Sequence, residues 1–196
     1  MRVVAFNGSA RRDGNTAILV RKAFEPLEEA GVECELVQLS GETLHGCRAC
    51  GWCRKNPVGR CNYDDDIVNE CIAKMREADG IILASPTYFA GISPEIKALA
   101  DRAFYVARGN DHMFSRKIGA ALVAVRRGGA IAAFDALNHY FFISDMVVPG
   151  SYYWNDGVGA PKGAVAEDEE GMKVAHRLGE NMLWLLRMRE ATAEAP

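Results

Sequence analysis

Residues 1–16 read Met-Arg-Val-Val-Ala-Phe-Asn-Gly-Ser-Ala-Arg-Arg-Asp-Gly-Asn-Thr, and this stretch decides the fold. It opens with an apolar run, Val3 to Phe6, which is too short for a helix and predicts a buried strand. A loop with two glycines follows, and a helical pattern of apolar residues begins at Ala17. A strand, a polar loop and a helix N-terminus together present free backbone N–H groups and the positive end of a helix dipole. Such an arrangement binds phosphate.

The sequence of this loop limits the class of phosphate-containing ligand that it can bind. It lacks the Gly-x-x-x-x-Gly-Lys-Ser/Thr pattern of nucleoside-triphosphate sites and the Gly-x-Gly-x-x-Gly pattern of dinucleotide sites. What remains is a set of hydroxyl, amide and guanidinium donors around a single terminal phosphate: Ser9, Arg11, Asn15 and Thr16. The alternative is an ordinary strand-to-helix turn in which Asn15 or Thr16 caps the helix.

The rest of the chain alternates strand and helix patterns. Four further strands are predicted, over Cys34–Leu39, Gly80–Ser85, Ile118–Val125 and Met146–Pro149. Helices between strands imply right-handed crossovers and an α/β fold with a five-stranded parallel sheet covered on both faces. We expect one domain over residues 1–196, with a cysteine-rich loop at about 40–63 whose length indicates a function. Ligands of such sheets bind beyond the carboxyl ends of the strands.

Two more loops follow strands at that predicted edge. The loop after the third strand carries a rigid proline, a glycine and two aromatic rings that suit a flat ligand, and its candidate contacts are Pro86, Thr87, Tyr88, Phe89 and Gly91. After the fourth strand, paired glycines would let the backbone approach a ligand closely, and the candidates are Arg126, Gly128 and Gly129. The alternatives are that the two rings belong to the core and that this arginine loop is a plain surface turn.

The six cysteines are unevenly distributed. Cys47, Cys50 and Cys53 follow one another at two-residue spacing, and Cys61 comes seven residues later. Such a set can direct four thiolates at one iron–sulfur cluster. Structural zinc and free or redox-active thiols are the alternatives, although zinc sites more often use two separated Cys-x-x-Cys pairs. Cys34 and Cys71 stand apart and are expected to be buried small residues.

The loop Gly8–Thr16 resembles that of the NADPH-dependent FMN reductases of the flavodoxin-like superfamily, departing at Ala10, where that family often has proline. The stretch from Lys97 to Asp101 and Arg102 resembles the same family, and the cysteine spacing resembles the compact motif of the iron–sulfur flavoproteins. The resemblance implies a flavodoxin-like three-layer sandwich with strand order 2-1-3-4-5, an FMN site in the three loops and a [4Fe-4S] cluster. We expect Asp101 and Arg102 at a helix surface or an interface.

We therefore expect an FMN-dependent electron-transfer oxidoreductase that couples FMN to a [4Fe-4S] cluster, with no side-chain acid or base in its chemistry. The alternatives are an NAD(P)H-dependent FMN or quinone reductase without a cluster and a non-enzymatic binding module clipped by zinc. The donor or acceptor is expected to be NAD(P)H, a ferredoxin or a quinone. A net charge of −3 argues against nucleic acid, and no apolar run is long enough for a membrane span. We expect a cytoplasmic homodimer or homotetramer.

Overall fold

The computed structural model describes residues 1–193 and places a five-stranded parallel sheet at the centre of the chain. The strands are β1 to β5 in chain order: Arg2–Asn7, Glu33–Gln38, Gly80–Pro86, Ile118–Val125 and Asp156–Val158. They are arranged as β2-β1-β3-β4-β5, and all adjacent pairs are parallel. The predicted three-layer fold and strand order are confirmed. Residues 194–196 of the predicted domain lie outside the described part of the chain.

Six α-helices connect or follow these strands in the described residues: α1 (Asn15–Glu29), α2 (Trp52–Lys55), α3 (Val68–Glu77), α4 (Pro94–Gly109), α5 (Ala130–Phe142) and α6 (Glu169–Ala193). A short 3₁₀ helix, Ala164–Glu167, precedes α6. Apolar side chains of α1 and α6 pack on one face of the sheet, and those of α3, α4 and α5 pack on the other. The central strands β3 and β4 are buried along nearly their whole length because helices cover both faces. None of the helices in residues 1–193 has the length and apolar composition needed to cross a bilayer.

The fifth strand lies later in the chain than predicted. The expected segment, Met146–Pro149, contributes only an isolated bridge between Val147 and Ile118 at the start of β4. The chain then leaves the sheet and returns as β5 opposite the last residues of β4. The prediction was wrong because Asp156-Gly157-Val158 has no apolar pattern. Gly157 is required there by packing, since a Cβ at this position would lie 2.8 Å from side-chain atoms of Leu19 and Val165.

Candidate functional site

The loop after β1 is held against β3 and leaves the start of α1 open. The Gly8 N–H donates to Ala84 O at 2.9 Å, and a Cβ on Gly8 would lie 2.5 Å from Ser93 Oγ, so this position accepts only glycine. Gln38 fixes the loop from the other side by donating to Ser9 O at 2.7 Å. The helix begins after Gly14, and no side chain of the described residues caps it. The first-turn N–H groups therefore face the sheet edge without helical partners, as an anion site requires.

The three predicted loops meet at the carboxyl edge of the sheet and enclose a cavity of about 200 Å³. Eight of the twelve predicted flavin contacts line it: Ser9, Arg11, Asn15, Thr16, Pro86, Thr87, Tyr88 and Arg126. Within residues 1–193, the buried Thr87 Oγ1 has no hydrogen-bond partner. A buried hydroxyl without a partner is costly, so this atom is suited to a ligand in the cavity.

Asn15 lies at the cavity, but its side-chain amide is occupied by another part of the chain. Its Nδ2 donates to Gly159 O at 2.8 Å and to Pro161 O at 2.9 Å, and its Oδ1 accepts from the Gly163 N–H at 2.8 Å. The amide thus holds the loop after β5 against the N-terminus of α1, and Gly159 and Ala160 become part of the cavity wall. No local sequence pattern indicates this contact, because its partners are more than 140 residues away.

The loop after β3 contains a tight turn with an unusual backbone. Tyr88 and Gly91 exchange two backbone hydrogen bonds of 2.9 Å, and the residues between them, Phe89 and Ala90, have φ values of 47° and 59°. Non-glycine residues in this left-handed region cost free energy and persist only where the surroundings enforce them. The Phe89 ring is fully exposed and, like Gly91, does not line the cavity. The turn therefore presents an aromatic surface beside the cavity rather than inside it.

The paired glycines after β4 have different environments. Gly129 has a φ of 89°, and a Cβ on it would lie 3.1 Å from both Cα and Cβ of Ala90. It therefore packs the third loop directly against the strained turn of the second. Gly128 has no atom within 4 Å of its hypothetical Cβ and does not line the cavity. Gly129 thus shapes the site through a contact between two loops, whereas Gly128 makes no such contact.

A second cavity lies in the cysteine-rich segment between β2 and α3. All four predicted ligands, Cys47, Cys50, Cys53 and Cys61, line it together with Arg48, Tyr63, Arg102 and Tyr105. Cys53 is buried at α2, and burial followed by the neighbouring Cys61 thiol raises the pKa of its own thiol. Over residues 1–193 no three His, Cys, Asp or Glu side chains already stand in a metal-binding arrangement. The segment thus brings the four thiols to one cavity, but it does not arrange them in the geometry of metal ligands.

The helix α4 carries the side chains that hold this segment. Arg102 is only 2% exposed and forms an ion pair with Asp66, whose carboxylate also accepts the N–H groups of His45 and Val68 at 3.1 Å. At the end of α4, Asn110 donates to Cys53 O at 3.2 Å and accepts from the Gly59 N–H at 2.6 Å. Arg102 at the ends of the segment and Asn110 at its middle therefore anchor it on one helix.

The prediction that Arg102 lies at a surface or interface was wrong. Its guanidinium is buried because Asp66 and two backbone carbonyls of the cysteine segment surround it. The Asp66 side chain is fully buried, and α3 begins only at Val68. A buried Asp-Arg pair separated by 36 residues leaves no local pattern, so the sequence analysis missed it.

The two isolated cysteines stay outside this cavity. Cys71 is buried in the core on the α3 side, and Cys34 is half-buried on β2. Burial raises the pKa of each thiol to about 12, so neither is a thiolate at neutral pH. The expectation that they are small buried residues is confirmed for Cys71 and holds in part for Cys34.

The chain matches the model of the NADPH-dependent FMN reductase family over residues 1–160. The chain belongs to this family. It is 35% identical to an iron–sulfur flavoprotein of Methanocaldococcus jannaschii over 195 residues, covering 96% of this chain and 98% of that protein. It is 32% identical to an iron–sulfur flavoprotein of Methanosarcina thermophila over 190 residues, covering 96% of each. A solved archaeal flavodoxin, 14% identical, superposes with a TM-score of 0.62 over 95% of this chain and 99% of its own.

As a member of the NADPH-dependent FMN reductase family, the protein is a flavin-dependent oxidoreductase that binds FMN. The cavity at the carboxyl edge suits this cofactor on physical grounds. It joins an uncapped helix N-terminus to an orphaned buried hydroxyl at Thr87. The first would receive a phosphate and the second a polar ring atom.

The two glycines after β4 provide a matched test of the cavity wall. We expect Gly129→Ala to lower the free energy of unfolding by about 1–2 kcal/mol, because alanine is strained at positive φ and its Cβ presses on Ala90. Because the added Cβ displaces the second loop at Ala90, we expect FMN binding to weaken about tenfold, which corresponds to about 1.4 kcal/mol. Urea denaturation and fluorescence titration of the apoprotein with FMN measure the two effects. Gly128→Ala is the control and should change neither, so equal behaviour of the two variants would contradict this account of the wall.

Proposed function

We propose that this protein is an electron-transfer oxidoreductase that couples FMN to a [4Fe-4S] cluster bound by Cys47, Cys50, Cys53 and Cys61. The observation that carries the proposal is that all four thiols of the compact motif line one cavity. Four cysteine thiolates are the usual ligand set of such a cluster. The curated relatives named above, which align over nearly their whole length, are iron–sulfur flavoproteins.

The residues around the cysteine cavity suit a negatively charged cluster. Arg48 lies over the Tyr63 ring at 4.2 Å and Arg54 lies over the Tyr105 ring at 4.7 Å, so two cations are held close to the thiols. Arg102 adds a third, buried cation at the cavity wall. Four thiolates in one place repel one another, and nearby cations stabilise them. Cys47 and Cys50 lie on the exposed side of the segment, so closing onto a cluster displaces little packed structure.

In the FMN site, the first-turn N–H groups of α1 with Ser9, Arg11 and Thr16 would receive the phosphate. Thr87 and the backbone around Tyr88 would contact the ring system. When bound, FMN would supply two-electron or one-electron chemistry and a cluster would pass single electrons, so the two groups together would allow hydride equivalents to be used in single-electron steps. Side chains of the chain position the two groups and exclude water, and no acid or base from the protein is required.

A reductase without a cluster is the second candidate. It is favoured by the family model itself, which describes NADPH-dependent FMN reductases. In that case the four cysteines are structural or redox-active thiols and NAD(P)H delivers hydride to the flavin. A zinc-clipped binding module is the third candidate, and it requires one zinc ion and no redox turnover.

We propose a ferredoxin, NAD(P)H or a quinone as the electron donor or acceptor. A reduced ferredoxin would deliver single electrons at the cysteine segment, and NAD(P)H or a quinone would react at the open side of the flavin beside Phe89. A cytoplasmic location would keep the thiols reduced and available as ligands.

Metal analysis separates the three candidates. After anaerobic purification we expect about four iron and four sulfide per chain, as a [4Fe-4S] cluster requires. The Cys50→Ser variant should lose most of the iron because it lacks one ligand. The Cys34→Ser variant lacks a thiol outside the cavity and should retain the iron. Stoichiometric zinc would indicate the binding module, and protein with FMN but neither iron nor zinc would indicate the simple reductase. Either result would overturn the proposal.

We also propose that the protein is a homodimer or homotetramer. The excursion between Val147 and β5 exposes Tyr152, Tyr153 and Trp154, and α6 exposes Trp184 on the same side as Asn181, which donates to Gly150 O at 2.7 Å. These rings together form an aromatic surface of the kind enriched at interfaces. In the oligomer, the cysteine segment of one subunit would lie near the flavin of another.

Light scattering at micromolar concentration tests the assembly. We expect a mass at least twice the 21.4 kDa of one chain. The double variant Tyr153→Ser and Trp154→Ser should shift the protein toward the monomer, because it removes two exposed rings in edge-to-face contact, whose centroids are 4.4 Å apart. A monomeric wild-type protein would contradict the proposed assembly.

A further inference from the structure

One guanidinium joins the two ends of the cysteine segment. Arg102 donates to His45 O at 3.2 Å and to Tyr63 O at 2.8 Å. His45 precedes the first cysteine by two residues, and Tyr63 follows the last cysteine by two residues. The segment that carries all four thiols is therefore closed at its base by a single side chain from α4.

This side chain is buried far more deeply than closure of a surface loop requires. The Arg102 side chain is 1% exposed and its partner Asp66 is 0% exposed. A buried ion pair costs desolvation free energy and often adds little net stability. In the described part of the chain, Arg102 Nε is buried without a hydrogen-bond partner. An unpaired buried donor is equally costly, and it indicates a partner that the polypeptide alone does not supply.

Arg102 also contributes to the cysteine cavity. Arg102 lines that cavity with the four cysteines. Its guanidinium donates to Asp66 and to the carbonyl oxygens of His45 and Tyr63, and these bonds fix its charge at the cavity wall. Arg102 thus pairs with a carboxylate and lines the cavity that holds the thiols. The exposed Arg48 and Arg54 lie near the same thiols, but solvent screens their charges more strongly.

We propose that Arg102 is the positioning residue of the cysteine site, which holds the segment closed before the cluster enters and places a fixed positive charge at the cavity of the four thiols, where it favours the reduced cluster. This inference rests on the proposed function, since it assigns a role toward the cluster. Adding one electron makes a cluster more negative, so a buried cation stabilises the reduced form and raises the reduction potential. Asp66 orients Arg102 and partly offsets its charge.

The midpoint reduction potential of the bound cluster tests the proposed effect of the Arg102 charge. Four variants test the direction in which that potential shifts. Arg102→Gln should shift the reduced-to-oxidised ratio at a given potential at least tenfold toward the oxidised form, which is about 59 mV for a one-electron couple. Asp66→Asn keeps the shape but removes the offsetting charge, and it should shift the midpoint the other way. Arg102→Lys retains the charge and should lie near wild type. Arg189→Gln breaks a separate arginine–aspartate pair with Asp79 and should leave the midpoint unchanged.

Hydrogen exchange of the iron-free protein tests the closure. Amides of residues 45–63 should exchange faster in Arg102→Gln than in wild type, and Arg102→Lys should restore most of the protection. If Arg102→Gln cannot retain iron while Arg102→Lys can, the closing role is supported and the midpoints of Arg102→Lys and Asp66→Asn carry the charge test.

Different results would overturn the proposed function and the proposed role of Arg102. Wild-type protein without iron would overturn the proposed function and this inference with it. Wild-type protein with a cluster, combined with unchanged midpoints in Arg102→Gln and Asp66→Asn, would leave the proposed function standing and overturn the role of Arg102.

Discussion

The parallel pairing of β1 with β3 is the constraint on which both ends of the flavin site depend. Its register places Asn7 beside Ala84, so the loops that leave the two strands start side by side. The Gly8 N–H continues this ladder by donating to Ala84 O beyond the last residue of β1. Because the strands are parallel, α1 must begin at this same edge, and its dipole points at the space between the loops.

The helix α4 connects this edge to the cysteine segment. It starts directly after the second flavin loop, where Ser93 Oγ caps it by accepting the Ile96 N–H, and it ends at Gly109. Arg102 lies eight residues along it, which is about 12 Å of helix rise from Pro94. A helix of this length is stiff, so the two candidate cofactor sites are held at a fixed separation within one chain. Contacts from this helix, more than the short α2 within the segment, hold the cysteine segment in position.

The central elements could be predicted because their signals are local. Continuous apolar runs such as Ile81 to Ala84 predict strands buried on both faces, and the spacing of the four cysteines predicts their convergence. The remainder depends on distant partners. The strand at Asp156–Val158 exists because β4 offers an edge and Gly157 fits under α1, and Asn15 binds a loop far along the chain. The burial of Arg102 likewise requires Asp66, and nothing in the helix around Arg102 indicates that contact.

The central claim is that the open N-terminus of α1 binds the phosphate of FMN. Titration of the apoprotein with FMN and with riboflavin, which lacks the phosphate, tests it most directly. A charged hydrogen bond contributes roughly 1.5–3 kcal/mol, and two such bonds to the phosphate contribute at least about 3 kcal/mol. The account therefore predicts that FMN binds at least about a hundredfold more tightly than riboflavin. Arg11→Ala should narrow that difference by weakening FMN alone. Equal affinity for the two flavins would contradict the account, because the loop at Gly8–Thr16 would then not be a phosphate site.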